Sequence, residues 1–389
     1  MPTIQKRGDT YRIRVSAGYD AAGKQIMRST TWRPAPGMTP KQIEKELDRQ
    51  AVLFEEKVKS GTVADSTMKL ATFAETWMEQ HCKKQLAPKS ILENEKLLRR
   101  VIAAMGHLHM DKIKPFHIQQ FYDNLAEDGV NEKTGGKLSN STIMHYHRLL
   151  SSMFNCAVLW GIIFSSPLKV KPPKVEQKEA AHLDEDQAAA LLDALEDEPI
   201  QYKTMIKLLL YTGLRKGELM GLEWQDIDFD KGTMQIVRSS QYIPGTGIIT
   251  KEPKNQKSKR VMRISDSVIA MLKEYRIWQI EQRLMLGDRW TDCGRLFTTQ
   301  EGSPMHPDTL PRWFDKFLKR RELPHITLHG LRHTCASLMI ASRVDIRTVS
   351  KRLGHAQVST TGNIYAHQIQ SADAAAADAI ELTLNRKRG

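Results

Sequence analysis

Between Thr327 and His367 the chain reads TLHGLRHTCASLMIASRVDIRTVSKRLGHAQVSTTGNIYAH, and the groups in it able to do chemistry fall at three places. His329 and Arg332 are three residues apart, His355 follows a glycine, and Tyr365 lies ten residues beyond it. On a helix, an i, i+3 pair shares one face, so His329 and Arg332 can both point at a single oxyanion. A guanidinium is suited to that task because its fork of N–H donors matches phosphate or carboxylate geometry. A phenol beside a held anion is a candidate nucleophile. His329 and His333 also have the i, i+4 spacing of a zinc pair. With no glutamate between them, and with Arg332 repelling any cation, no metal site is expected there.

Further groups upstream could complete such a site. An apolar run, Ile206–Tyr211, gives way to Thr212-Gly-Leu-Arg215-Lys-Gly-Glu218. Thr212-Gly213 reads as a helix end, which places Arg215 at a helix–helix junction with Glu218 one turn on to orient it. Three strand-like runs follow, at Thr233–Gln241, Gly247–Glu252 and Arg260–Ser265. The loop between the last two is read as a β-hairpin tip rich in lysine, with Lys251, Lys254, Lys257 and Lys259 in or beside it. A lysine there can reach a leaving oxygen as a general acid, although a solvated basic turn would look the same. Asp308–Arg320 is an amphipathic helix through Leu310, Trp313, Phe314 and Phe317, and Thr327 caps the helix that carries His329 and Arg332.

The segments before this region divide at two places. Residues 1–62 form a small module: Tyr11, Ile13 and Val15 alternate with Arg12, Arg14 and Ser16, the period of a strand with one basic face. A turn at 20–23 leads to a strand near Lys24–Trp32 carrying Arg28, with Arg33 just beyond it. A helix over Pro40–Lys59 follows, with Ile43, Leu47, Val52 and Phe54 inward. Such a small sheet backed by a helix could lie in a DNA groove with Arg12, Arg14 and Arg28 on phosphates. A small polar linker precedes residues 68–168, which are helical; Ser139 or Asn140 caps the last helix. Lys83, Lys84, Lys89, Lys133 and Lys137 are read as polar residues between these helices, where they can meet phosphate or simply be solvated. Pro167–Lys178, with three prolines and four lysines including Lys169, Lys171 and Lys174, is an extended basic linker to a domain over 180–389.

Composition agrees with a polyanionic partner. Among 389 residues, 58 Lys+Arg against 45 Asp+Glu give +13, which favours nucleic acid over a membrane surface. No apolar run approaches the roughly 20 residues of a membrane helix. The opening MPTIQKRGDTYRIRV has no apolar signal segment, so a cytoplasmic, nucleoid-associated protein is expected. Cys82, Cys156, Cys293 and Cys335 are scattered without C-x-x-C spacing, as reduced thiols are.

With these residues in view, the chain resembles the tyrosine recombinases, or phage integrases. Arg215 in TGLRKGEL, Lys254 in its loop, HGLRH at 329–333, LGH at 353–355 and Tyr365 in IYAH agree with that family in order, type and spacing. The likeness extends over the whole chain, to three-domain integrases of prophages and conjugative transposons. It implies a three-stranded sheet plus helix that binds arm sites, an all-α core-binding domain, and a mainly helical α+β catalytic domain with a small β-sheet. It implies that Arg215, Arg332, His329 and His355 hold the scissile phosphate. Lys254, in a PKxxxS-type position, would be the general acid, Tyr365 the nucleophile, and Glu218 the acidic residue behind the site. His333 would be packing or would back the HxxR pair, and no cofactor is implied.

The implied partners are double-stranded DNA at core and arm attachment sites, three further copies of the chain in a tetramer, an excisionase and a host DNA-bending protein. The Ala-rich tail 371–389, with Ile380, Leu382 and Leu384, would dock on a neighbouring protomer. Gly362 departs from the bulkier apolar residue of the family, so the segment before Tyr365 is expected to be a loosely held helix. Two other classes compete: a DNA-binding protein without catalysis, which ought to lack a site residue, and a type IB topoisomerase-like nicking-closing enzyme, which needs neither a second DNA site nor a tetramer.

Overall fold

The computed structural model describes residues 2–19, 23, 25–59, 68–176, 181–252, 259–354 and 357–364. The chain divides into two compact units, Met1–Gln177 and Lys178–Gly389.

The first unit opens with three antiparallel strands in sequence order, β1 (Thr3–Arg7), β2 (Thr10–Tyr19) and β3 (Gln25–Trp32), followed by α1 (Pro40–Lys59). Ile13 and Val15 on β2 pack with Leu47, Ala51, Phe54 and Val58 of α1, the i+4, i+3 stripe that one helix face presents. Val52 was expected inward but is 55% exposed, because Ala51 occupies that stripe instead. The register divides the strand arginines between the two faces of the sheet. Arg12 and Arg14 pair with Thr31 and Ser29, whereas Arg28 pairs with Val15. Directly opposite residues share a face, so Arg28 stands on the helix-covered side and not beside Arg12 and Arg14. Arg7 on β1 pairs with Thr10 and so joins the uncovered face, an arginine the sequence reading passed over.

A helical part follows: α2 (Leu70–Trp77), a π turn (Met78–Cys82), α3 (Lys83–Gln85), α4 (Pro88–Met105), α5 (Pro115–Leu125) and α6 (Asn140–Leu159). Phe73, Trp77, Val101, Ile118, Leu150 and Phe154 are among its buried core. Ser139 is the cap of α6: its hydroxyl accepts from the Thr142 amide at 3.2 Å. Lys83 and Lys84 are not in a loop, as expected, since the π turn carries helical backbone through Gln85. Each reaches back one turn, Lys83 to Glu79 and Lys84 to Gln80. Lys89 lies in the first turn of α4. Residues 171–176 form neither helix nor strand, and the Lys174 carbonyl accepts from the Asn140 amide nitrogen at 2.9 Å.

The second unit begins with α7 (Glu185–Ala194), whose N-cap Asp184 exchanges hydrogen bonds with Gln187, then α8 (Ile200–Thr212) and α9 (Lys216–Gly221). The strands β4 (Ile227–Asp228), β5 (Thr233–Ile236), β6 (Ser239–Ile243), β7 (Gly247–Lys251) and β8 (Arg260–Arg263) form two small sheets. One has the order β4-β5-β8 and the other pairs β6 with β7. The expected first strand, Thr233–Gln241, is therefore split between two sheets. A hairpin was also expected between the last two strands, but β7 and β8 belong to different sheets. Then come α10 (Asp266–Leu286), α11 (Thr309–Arg320), α12 (Leu328–Ala341), α13 (Ile346–Leu353) and α14 (Val358–Ile364). A core including Leu209, Leu219, Tyr275, Phe314, Phe317 and Leu331 lies beneath the site described next. Among the described residues, no helix is long and apolar enough to cross a membrane.

Candidate active site

Four elements of the second unit deliver charged side chains to one place: the α8–α9 junction, the start of β8, α12 and the C-terminal end of α13. Arg215 is the N-cap residue of α9. Its Nη1 donates to Glu218 Oε1 at 2.8 Å and its backbone amide donates to Glu218 Oε2 at 3.0 Å. The junction can be this tight because Gly213 ends α8 with φ of 65°. A Cβ at Gly213 would come within 2.6 Å of the Leu353 side chain, so glycine is required by both backbone and space.

Arg332 is only 2% exposed. A guanidinium that deep must replace its water, and two backbone carbonyls do so. Its Nη1 donates to Gly213 O and its Nη2 to Leu353 O, each at 2.7 Å. Arg215 Nη2 donates to the next carbonyl, Gly354 O, at 3.1 Å. The two arginines, 117 positions apart by their numbers, thus converge on adjacent carbonyls at the end of α13. Those carbonyls have no partner within the helix and carry the negative end of its dipole.

Arg260, which the sequence reading placed at the start of a strand and gave no role, belongs to the same cluster. Its Nε donates to Arg352 O at 2.8 Å, and its Nη1 and Nη2 donate to Glu218 Oε1 and Oε2 at 3.2 and 2.9 Å. Burial works to raise the Glu218 carboxyl, but Arg260 and then Arg215 outweigh it and hold the pKa below the ordinary value. Glu218 is therefore an anion at neutral pH; it pairs with two guanidiniums, and with Arg332 close by the cluster holds three guanidiniums to one carboxylate. The group is net positive, which suits an incoming anion.

His329 and His333 sit one turn apart on α12, rings edge to face at 4.7 Å. Thr327 caps this helix, its hydroxyl accepting from the Gly330 amide at 3.0 Å. Desolvation first, then the charges of Arg332 and Arg215, lower the pKa of His329, which favours its neutral imidazole. His333 is pushed down to about 4 by burial first, then by His329, Arg332 and His182. Among the described residues, no group of three or more His, Cys, Asp or Glu side chains is placed to hold a metal ion.

Of the expected site residues, Arg215, Glu218, His329 and Arg332 are brought together. Lys254, His355 and Tyr365, with the tail 371–389, lie outside the described residues. The described chain reaches Gly354 beside the clamp, and resumes at 357 to form α14, which ends at Ile364, one residue before Tyr365. Gly362 lies in α14 with open space around its α-carbon. Arg12, Arg14, Arg28, Lys83, Lys84, Lys89, Lys169, Lys171 and Lys174 all belong to the other unit.

The fold thus gathers Arg215, Arg260 and Arg332 around the end of α13, with Glu218 as the carboxylate among them. The phage integrase family model matches residues 181–371, and that of the phage integrase N-terminal SAM-like domain matches 69–126. Similar curated proteins include a tyrosine recombinase XerC-like protein of Caldanaerobacter subterraneus, 29% identical over 94% of both chains. The ICEBs1 integrase of Bacillus subtilis is 26% identical over 92% of this chain and 93% of its own. In fold, the chain is similar to the Tn1549 transposon integrase in complex with transposon right end DNA. That match has a TM-score of 0.66 at 21% identity, covering 77% of this chain and 95% of the other. The chain belongs to the phage integrase family: it is a tyrosine recombinase of the integrase type, an enzyme of site-specific DNA recombination.

Proposed function

We propose that this recombinase integrates and excises a mobile element, with Tyr365 as nucleophile and Arg215, Arg332, His329 and His355 around the scissile phosphate. The observation that carries the reading is the convergence of Arg215 and Arg332 on the Leu353 and Gly354 carbonyls, at the residue before His355. Attack by a phenol on a phosphodiester builds charge on the non-bridging oxygens, and fixed cations placed there beforehand lower the barrier. The Tyr365 phenol loses its proton to solvent as its oxygen bonds to phosphorus, the bond to the 5′ oxygen breaks, and Lys254 gives that oxygen a proton. The 3′-phosphotyrosyl bond keeps the phosphodiester's energy, so the chemistry asks for no ATP. The 5′-hydroxyl of a partner duplex then attacks the phosphotyrosine. One exchange yields a Holliday junction and a second resolves it.

Within this reading the chain has three domains, 1–62, 68–168 and 180–389, which take arm DNA, core DNA and the reaction respectively. The uncovered sheet face with Arg7, Arg12 and Arg14 lies on arm DNA. Lys89, Lys169, Lys171 and Lys174 track the backbone of the core site, and Lys83 contributes less because Glu79 already neutralises it. The protein works as a homotetramer on bacterial nucleoid DNA in the cytoplasm, its tail docking on a neighbouring protomer. An excisionase and a DNA-bending host protein set the direction. A non-catalytic DNA-binding protein and a topoisomerase-like enzyme fit less well, given a family match that extends over the catalytic segment and the SAM-like segment.

The test is a nicked suicide duplex built from the direct repeats flanking the encoding element. On it the wild type forms a detergent-stable DNA adduct, Tyr365→Phe forms none, and Lys254→Ala forms it slowly. An adduct from Tyr365→Phe, or none from the wild type on any such repeat, overturns the reading.

A further inference from the structure

We infer that Arg260 is a positioning residue for the reaction: it holds the Glu218 carboxylate that aims Arg215, and the helix end against which the clamp is set. The inference rests on Arg215 being a phosphate ligand, as proposed above.

Arg260 opens β8, and its side chain is 6% exposed against a Glu218 side chain that is 5% exposed. All three of its side-chain nitrogens are committed, Nη1 and Nη2 to the two Glu218 oxygens and Nε to Arg352 O. A guanidinium spent in this way does not hold the phosphate; it acts through the groups it touches. Glu218 Oε1 accepts from Arg215 Nη1 and from Arg260 Nη1, so both arginines share one oxygen. Loss of Arg260 would leave a buried carboxylate with one guanidinium, and Glu218 would then turn toward Arg215 and pull it out of line.

The helix end is tied just as closely. Arg352 Nη1 donates to Arg263 O, the last residue of β8, at 3.0 Å, and its Nη2 donates to Tyr211 O at 3.2 Å. With Arg260 Nε bonded to Arg352 O, the strand and the helix end are stapled in both directions. Gly354, left-handed with φ of 67°, leaves room for the Arg260 guanidinium, where a Cβ would come within 2.8 Å of Nη1. Lysine could supply the charge, but its donors sit on one nitrogen and cannot reproduce the planar fork that spans both Glu218 oxygens and Arg352 O.

A double-mutant cycle on single-turnover adduct formation tests this, using the full-length protein and the nicked duplex. Arg260→Lys is expected to slow the step by about 30-fold, with DNA Kd changed by less than about 3-fold. In an Arg215→Lys background the same change is expected to cost less than about 3-fold, because the residue it aims is already altered. Arg260→Met, paired with Glu218→Gln to avoid a lone buried charge, is expected to be slow at an unchanged Kd. Costs that multiply across the cycle, or full activity in a folded Arg260→Met/Glu218→Gln protein, would overturn the inference. An Arg215→Lys protein that reacts at the wild-type rate would instead overturn the role given to Arg215, and is read separately from Arg260.

Discussion

A guanidinium buried as deeply as Arg332 is stable only where carbonyls or carboxylates replace its hydration, and this requirement explains much of the site. Gly213 O and Leu353 O are its partners, so the same bonds that stabilise Arg332 fix its guanidinium at the end of α13, where the proposed reaction places the phosphate. His333 is the residue whose titration reports on this packing. Its pKa is pushed to about 4, below the ordinary 6.5, so between those values the unfolded chain binds a proton that the folded protein refuses. Its contribution is therefore complete above about pH 6.5 and is lost as pH falls toward 4, on the order of 3 kcal/mol in all. Urea unfolding at pH 7.5 and 4.5 should show the wild type losing that much more stability than His333→Gln. Equal losses would mean that His333 is not desolvated as described. Residue types and spacings made Arg215, Glu218, His329 and Arg332 legible in the sequence. Arg260 was not, because its partners are 42 and 92 positions away and it directly follows lysines that read as a solvated turn.

At the scale of elements, periodicity located the helices well and pairing poorly. Pro40–Lys59 and the capped starts at Asp184, Ser139 and Thr327 follow from local signals, since caps and apolar stripes depend on neighbours within one or two turns. Which strand pairs with which is a long-range fact. This is why a hairpin was expected at the lysine loop, and why Arg28 was grouped with Arg12 and Arg14. The register makes a prediction here. In an anisotropy titration of an arm-type duplex against salt, Arg12→Ala/Arg14→Ala should weaken binding and reduce the salt slope by about 2. Arg28→Ala, on the helix-covered face, should leave both unchanged. A loss from Arg28→Ala as large as that from the double substitution would mean that the uncovered face is not the DNA face.

At the scale of the molecule, a net charge of +13 gave the class of partner, while assembly is the part least visible in one chain. The tail belongs to this scale. A chain ending at Ser371 should still form the Tyr365 adduct on a single site but fail to bring two sites into a synapse on a gel. Unchanged synapse formation would mean that the tail does not bridge protomers. The central claim is narrower, that Tyr365 carries the DNA through its 3′ phosphate in a site built on Arg215 and Arg332. Mass spectrometry of the protease-digested suicide adduct tests it most directly. The account predicts a nucleotide joined through its 3′ phosphate to the peptide containing Tyr365, with the released strand bearing a 5′-hydroxyl. A nucleotide on any other residue, or a link through a 5′ phosphate, would contradict it.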